Sequence, residues 1–289
     1  MRDDVKVKVV VLNEQKDIKI EKNNLYNMDC LDGLRLLKND SIDLTVTSPP
    51  YDNLRKYTKE FEKNSFDFES IAQELYRVTK EGGVVVWIVG DATIKGSESG
   101  TSFKQALYFK EVGFRLHDTM IYEKTGNPFP EVNRYYPCFE YMFIFSKGKP
   151  KTTNLISDRK NTTAGDKVHG RLRQPDNSQL LVHSLRSNKN SVVKDYGIRY
   201  NIWKYTNDRK SNNAGLKYKH PATFPDNLAK DHIITWSNPK DTVLDIFAGS
   251  GTTLRMAKAL NRKYIGFEIS KEYFKLANKL IKKQENFDD

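Results

Sequence analysis

The last fifty residues constrain the fold most. Residues 242–247 (Thr-Val-Leu-Asp-Ile-Phe) have the length and branched content of a strand, and Ala248-Gly249-Ser250-Gly251 reads as a tight turn. Residues 252–260 follow with helical spacing, 264–269 form a second strand, and 271–283 a second helix. Strand, helix, strand and helix in that order predict a parallel sheet with right-handed crossovers, hence an α/β fold. The Gly249-Ser250-Gly251 turn lets backbone come close to a ligand at the start of a helix. A dinucleotide fingerprint would place a third glycine where Leu254 stands, which disfavours NAD. Glu268 falls at the end of the next strand, where a carboxylate can accept from both hydroxyls of a ribose. With Asp245 at the preceding strand end, the pattern suits an adenosine ligand without a pyrophosphate. The plainer alternative is that the glycines serve helix–sheet packing and Glu268 is solvated.

A second feature is Thr47-Ser48-Pro49-Pro50-Tyr51, directly after the strand-like run 42–46. Paired prolines permit neither helix nor further ladder pairing, so the strand must stop there. Its carboxyl edge then carries a hydroxyl, a stiff turn and an aromatic ring, at the edge where open α/β sheets bind ligands. Prolines offer carbonyls without N–H donors, so the turn mostly accepts hydrogen bonds. Acceptors beside an aromatic face suit an exocyclic amine on a flat base; an ordinary Ser-Pro-Pro loop is the alternative.

Elsewhere the pattern predicts an edge strand or arm in 1–24 and a strand meeting a helix at Asp29. Asp29 could face a ligand there or cap the helix, capping being the commoner role. A helix over 68–79 should end at Gly82-Gly83, before a doubly buried strand, 84–89. A helix (102–112) and strands (119–123 and 140–146) complete that half, and a helix over 226–235 follows the turn His220 to Pro225. Net charge is +11, and residues 151–219 hold 15 Lys or Arg against 5 acidic residues, so nearly all the surplus sits in one segment. That concentration predicts a polyanion site. The segment is rich in Asn, Ser and Thr, and only Leu180-Leu181-Val182 and Val192-Val193 hint at a small core. No apolar run could span a membrane, the N-terminus lacks a signal-peptide layout, and Cys30 and Cys138 form no metal pattern. The five histidines show no metal spacing either, so the expectation is a cytoplasmic protein without a metal.

Together these motifs resemble the bacterial DNA amino-methyltransferases that use S-adenosylmethionine (SAM). Residues 245–253, Asp-Ile-Phe-Ala-Gly-Ser-Gly-Thr-Thr, are similar to that family's SAM motif, with Ile246 replacing its usual proline. Thr47 to Tyr51 resembles the catalytic motif in its Ser-Pro-Pro-Tyr form, associated with cytosine-N4 enzymes; adenine-N6 enzymes usually carry Asp or Asn at the place of Ser48. The catalytic motif comes first, the order of the β group. The resemblance covers about 220 residues and fails over 151–199. It implies a Rossmann-like SAM-dependent methyltransferase fold with a mostly parallel twisted sheet, plus a small irregular target-recognition region. The corresponding division is a catalytic part (1–150), a target-recognition region (151–215) and a SAM-binding part (216–289). SAM would be held by Asp29 and Cys30 at the adenine, by Asp245, Phe247, Gly249, Ser250, Gly251, Thr252 and Glu268, and by His220, Phe224 and Pro225 over the methionine end. Ser48, Pro49, Pro50 and Tyr51 would be catalytic, and Arg171, Arg173 and Arg186 would contact double-stranded DNA. The resemblance admits a cognate restriction endonuclease and a homodimer as partners, and no membrane.

The target amine is buried in a duplex, so the base must be flipped out or presented unpaired. Tyr51 would stack on it while Ser48 Oγ and the Pro49 carbonyl accept the two amine hydrogens, leaving the lone pair free for in-line attack on the SAM methyl. Cytosine-C5 chemistry would need an activated cysteine; Cys138 is followed by Phe139, and Cys30 fits the SAM pocket better. Adenine-N6 methylation, methylation of RNA or protein, and a non-catalytic nucleic-acid-binding protein of the same fold are the alternatives.

Overall fold

Alternate residues of one strand show how the sheet sits. In the computed structural model Val84, Val86 and Ile88 pack into one apolar layer and Val85, Trp87 and Val89 into another, so this strand is covered on both faces. The structure describes residues 19–50, 66–125, 132–167, 171–181, 192–206 and 225–284. Their elements are β1 (Asn24–Tyr26), α1 (Cys30–Arg35), β2 (Ile42–Thr47), α2 (Phe68–Val78) and β3 (Thr79–Val89). The hairpin β4 (Thr93–Ile94) and β5 (Ser97–Glu98) comes next, then α3 (Thr101–Val112), β6 (Arg115–Lys124) and β7 (Phe139–Ser146). The short strands β8 (Arg159–Lys160), β9 (Arg171–Arg173), β10 (Gln179–Leu181) and β11 (Tyr196–Gly197) precede β12 (Ile202–Tyr205). The chain closes with α4 (Asp226–Trp236), β13 (Thr242–Asp245), α5 (Thr252–Ala259), β14 (Lys263–Phe267) and α6 (Lys271–Lys283).

Eight strands form one sheet in the order β1-β14-β13-β2-β3-β7-β6-β12, and only β7 runs antiparallel to its neighbours. This is the mostly parallel α/β architecture expected from the sequence. Residues of α1, α2 and α3 pack on one face, through Leu34, Leu75 and Phe109. Those of α4, α5 and α6 pack on the other, through Ile233, Leu254 and Ala277. From β2 the chain crosses through α2 to β3 on one side; from β13 it crosses through α5 to β14 on the other. Adjacent β2 and β13 therefore flank a topological switch point, where the carboxyl ends of an α/β sheet leave a crevice.

Two expectations need correction. The Gly82-Gly83 pair does not separate helix from strand. β3 begins at Thr79, which pairs with Ile42, and Gly82 at φ 77° sits in an irregularity of the ladder between Ile42 and Leu44. Of the apolar residues expected to make a small core in the basic segment, Leu180 (40%) and Val192 (52%) are exposed and Val193 is half-buried, while Val182 and the side chain of Leu181 lie outside the described residues. They lie in a separate compact unit, Leu155–Tyr200, built from the ribbons β8–β11 and β9–β10. Among the described residues of that unit none is buried, as two-stranded ribbons alone give apolar side chains little to pack against.

Candidate active site

β2 ends at Thr47 because Pro49 and Pro50 cannot continue the ladder. Ser48 and Pro50 are half-buried and Pro49 buried at this edge. Thr47 is wholly buried, and its Oγ1 donates to Asp245 Oδ1 on the neighbouring strand at 2.7 Å. The same oxygen accepts from Phe247 N at 3.1 Å, and Thr253 Oγ1 donates to the Val46 carbonyl at 3.1 Å. The Ser48-Pro49 turn and the glycine turn after β13 are thus neighbours joined by buried hydrogen bonds. Burial holds the Asp245 carboxyl up at about 6, against the opposing pull of Thr47, Phe247 N–H and Thr253.

The glycine turn needs its glycines. Gly249 and Gly251 have φ of 52° and 79°, the left-handed region. A Cβ on Gly251 would also come within 3.1 Å of Ala277 Cβ on α6, so helix packing is a second reason for that glycine. Glu268 is 8% exposed. Its Oε2 accepts from Gly249 N at 2.7 Å and its Oε1 from Ser270 N at 2.8 Å, so it braces the turn rather than facing solvent. Burial pushes its carboxyl up to about 7, partly offset by those two N–H groups. Asn27, unremarked in the sequence, holds the next segment by donating Nδ2 to the carbonyls of Glu268 and Ile269 at 2.8 and 2.9 Å.

Asp29 takes the capping role: its Oδ1 accepts from Leu31 N at 2.8 Å at the start of α1. Cys30 beside it is buried, and desolvation drives its thiol far above the ordinary range, which makes it an inert packing group. Phe247 is half-buried, its ring 5.9 Å from Phe66 and 6.3 Å from Trp87. Ser250 and Thr252 are buried, their hydroxyls 3.4 Å apart. Pro225 is buried at the N-terminus of α4, next to Asp226, whose Oδ1 meets the buried Arg255 Nη2 at 2.5 Å.

Tyr51, His220, Phe224 and Arg186 lie outside the described residues, as does the side chain of Arg171 in β9. Arg173 is exposed. The sequence offers no role for Asn27, nor for Thr47 and Thr253 although both lie within the two motifs, because each acts on a partner some 200 residues or more away. Among the described residues no three His, Cys, Asp or Glu gather where they could hold a metal ion, and no helix is long and apolar enough to cross a membrane.

The sequence pattern of the family described as DNA methylase (N6_N4_Mtase) matches residues 42–279. The orphan methyltransferase M.BamHII of Bacillus amyloliquefaciens is 59% identical over 245 residues, 84% of this chain and 89% of that protein. Among solved structures, PvuII DNA methyltransferase (cytosine-N4-specific) superposes with a TM-score of 0.64 at 24% identity, covering 93% of this chain and 89% of that one. The M1.HpyAVI–SAM complex gives 0.57 at 23%, covering 89% and 98%. At those identities the structural likeness speaks for the fold.

Proposed function

The chain belongs to the DNA methylase family, and from that premise we propose that it methylates the exocyclic N4 amine of cytosine in DNA, with SAM as donor. The observation that carries the proposal is the adjacency of the two turns at the switch point: Ser48-Pro49 after β2 and Gly249-Ser250-Gly251 after β13, linked by Thr47 and Asp245.

The residues fit the cofactor. The glycine turn presents backbone without side chains at the start of α5, and Glu268 stands buried at the end of β14. Each Glu268 oxygen uses one lone pair on a backbone N–H and keeps another, enough to accept the two ribose hydroxyls. Asp29, Cys30, Asp245, Phe247, Ser250 and Thr252 would complete the nucleoside side, and His220, Phe224 and Pro225 the methionine side. When bound, SAM supplies an electrophilic methyl group. The chain's own part is to hold the base: Tyr51 stacks on the flipped ring, and Ser48 Oγ and the Pro49 carbonyl accept the amine hydrogens. That aims the nitrogen lone pair at the donor without a covalent enzyme intermediate, so positioning and electrostatics supply the acceleration. DNA would be held by the basic segment 151–215, with Arg171, Arg173 and Arg186 as contacts.

Ser48 supports cytosine over adenine because it offers the amine a neutral hydroxyl. Adenine N6 is the second reading, favoured by a family pattern that spans both amine classes. Methylating mixed DNA, digesting it to nucleosides and weighing the products decides between them. N4-methylcytosine is expected; N6-methyladenine alone would overturn the base assignment and leave the rest standing.

A further inference from the structure

Thr47 is neither exposed nor at the reacting atoms, yet it stands one residue before Ser48 and donates to the strand that carries the cofactor turn. Its Oγ1 lies 2.7 Å from Asp245 Oδ1, and that oxygen also accepts from Phe247 N at 3.1 Å. One buried carboxylate oxygen therefore receives a hydrogen from the strand that ends in Ser48 and another from the backbone entering Ala248-Gly249-Ser250-Gly251. A second hydroxyl, Thr253 Oγ1 in the first turn of α5, pulls on the Val46 carbonyl at 3.1 Å from the other direction. Backbone pairing between β2 and β13 registers Val243 with Leu44 and Leu244 with Thr45 and goes no further. Beyond that point the two carboxyl ends are held together by these side-chain hydrogen bonds.

We propose that Thr47 is a positioning residue for methyl transfer: its hydroxyl, through Asp245, sets the Ser48-Pro49 turn at a fixed separation from the cofactor turn. The inference rests on the reading of Ser48 and the glycine turn given above. A reaction that requires an amine lone pair, a methyl group and a leaving sulfur in line is sensitive to that separation more than to the affinity for either ligand. The hydroxyl is needed for the purpose, since valine would fill the same volume and keep the β-branched preference for a strand.

The test compares Thr47→Val, Thr47→Ser and Ser48→Ala with the parent enzyme, with rates expressed per SAM-binding site so that loss of folded protein does not count. In single turnover with saturating SAM and DNA, Thr47→Val should slow transfer on the order of 10–100-fold while SAM affinity by calorimetry stays within about threefold. Thr47→Ser, which keeps the donor, should transfer within about threefold of the parent rate, a rescue that filling the volume alone would not give. Should the valine variant not fold, Thr47→Ala takes its place with the same expectation. Thr47→Val at the parental rate, or Thr47→Ser as slow as Thr47→Val, overturns the positioning role. Ser48→Ala separates the two failures: slow Ser48→Ala beside a fast Thr47→Val sinks only the role of Thr47, whereas a fast Ser48→Ala sinks the catalytic reading beneath it.

Discussion

In the sheet unit Trp87, Phe109, Phe145 and Phe267 are fully buried, whereas no described residue between Leu155 and Tyr200 is buried. The second unit keeps its form by other means. Asn161 Nδ2 donates to the Lys194 carbonyl at 2.8 Å, Arg199 pairs with Asp158, and the Arg159 guanidinium lies 4.6 Å above the Tyr200 ring. The contrast teaches where sequence change is tolerated. A close-packed interior resists substitution because each side chain is held by many others. A unit of exposed ribbons can exchange surface residues at little cost in stability, which would suit the target-recognition role proposed above for this segment.

The largest effect should come from breaking the packed side. Trp87 meets Phe109 edge-on at 5.1 Å and donates Nε1 to Gln105 Oε1 at 2.8 Å. Trp87→Ala should cost about 3–5 kcal/mol by denaturant unfolding. Leu180→Ser in the other unit should stay within about 0.5 kcal/mol; similar losses at both positions would erase the distinction. Next comes chemistry at the edge of that core. Ser48→Ala should leave SAM and DNA binding near normal and slow the chemical step by roughly 2–4 kcal/mol, read from single-turnover rates.

The same contrast explains what was legible beforehand. The helix over 271–283 was read to the residue, because its apolar face repeats at helical spacing and Ser270 caps it. The parallel sheet was legible for the same reason, since local periodicity marks its strands and helices; the order of the motifs came from the family resemblance. The join between the turns was not legible. Thr47 and Asp245 are 198 residues apart, and nothing in either neighbourhood says that one donates to the other. Glu268 was read as a ligand for ribose, but its grip on Gly249 N and Ser270 N depends on where two loops come together. Leu180 and Val192 misled because an apolar pair reads alike whether or not a second layer covers it.

A third prediction sharpens the comparison at Glu268. Glu268→Ala should weaken SAM binding by roughly 1–3 kcal/mol, through lost charge-assisted hydrogen bonds to the ribose. In the parent protein the affinity should also decline as pH falls through about 7, where Glu268 takes up its proton. Calorimetry across pH 6–8 reads both, and an unchanged affinity in the alanine variant would remove Glu268 from the cofactor site.

The smallest effect expected, that of Asp158, belongs to a pH response that differs in sign between the two units. Asp245 and Glu268 have carboxyls raised by burial to about 6 and about 7, so between pH 4 and 7 the folded sheet unit holds protons that the unfolded chain has released. Stability of the ligand-free protein from these two groups therefore falls as pH rises through that window, by something on the order of 1–3 kcal/mol for each. Asp158 is displaced the other way, held below the usual carboxylate range chiefly by its hydrogen bond from Arg199. Its contribution is present above about pH 4 and is lost as pH falls through its lowered value. The pair is partly exposed, so solvent screening limits it to about 1 kcal/mol or less. Hydrogen exchange, corrected for the intrinsic pH dependence of exchange, can follow the two units separately. On acidification from pH 7 to 5 protection should rise in β13 and β14 and hold steady in 155–200, then fall in 155–200 below about pH 4. Asp158→Asn should abolish that last fall and leave β13 and β14 untouched. Parallel responses in both units would mean that burial does not divide them as the structure indicates.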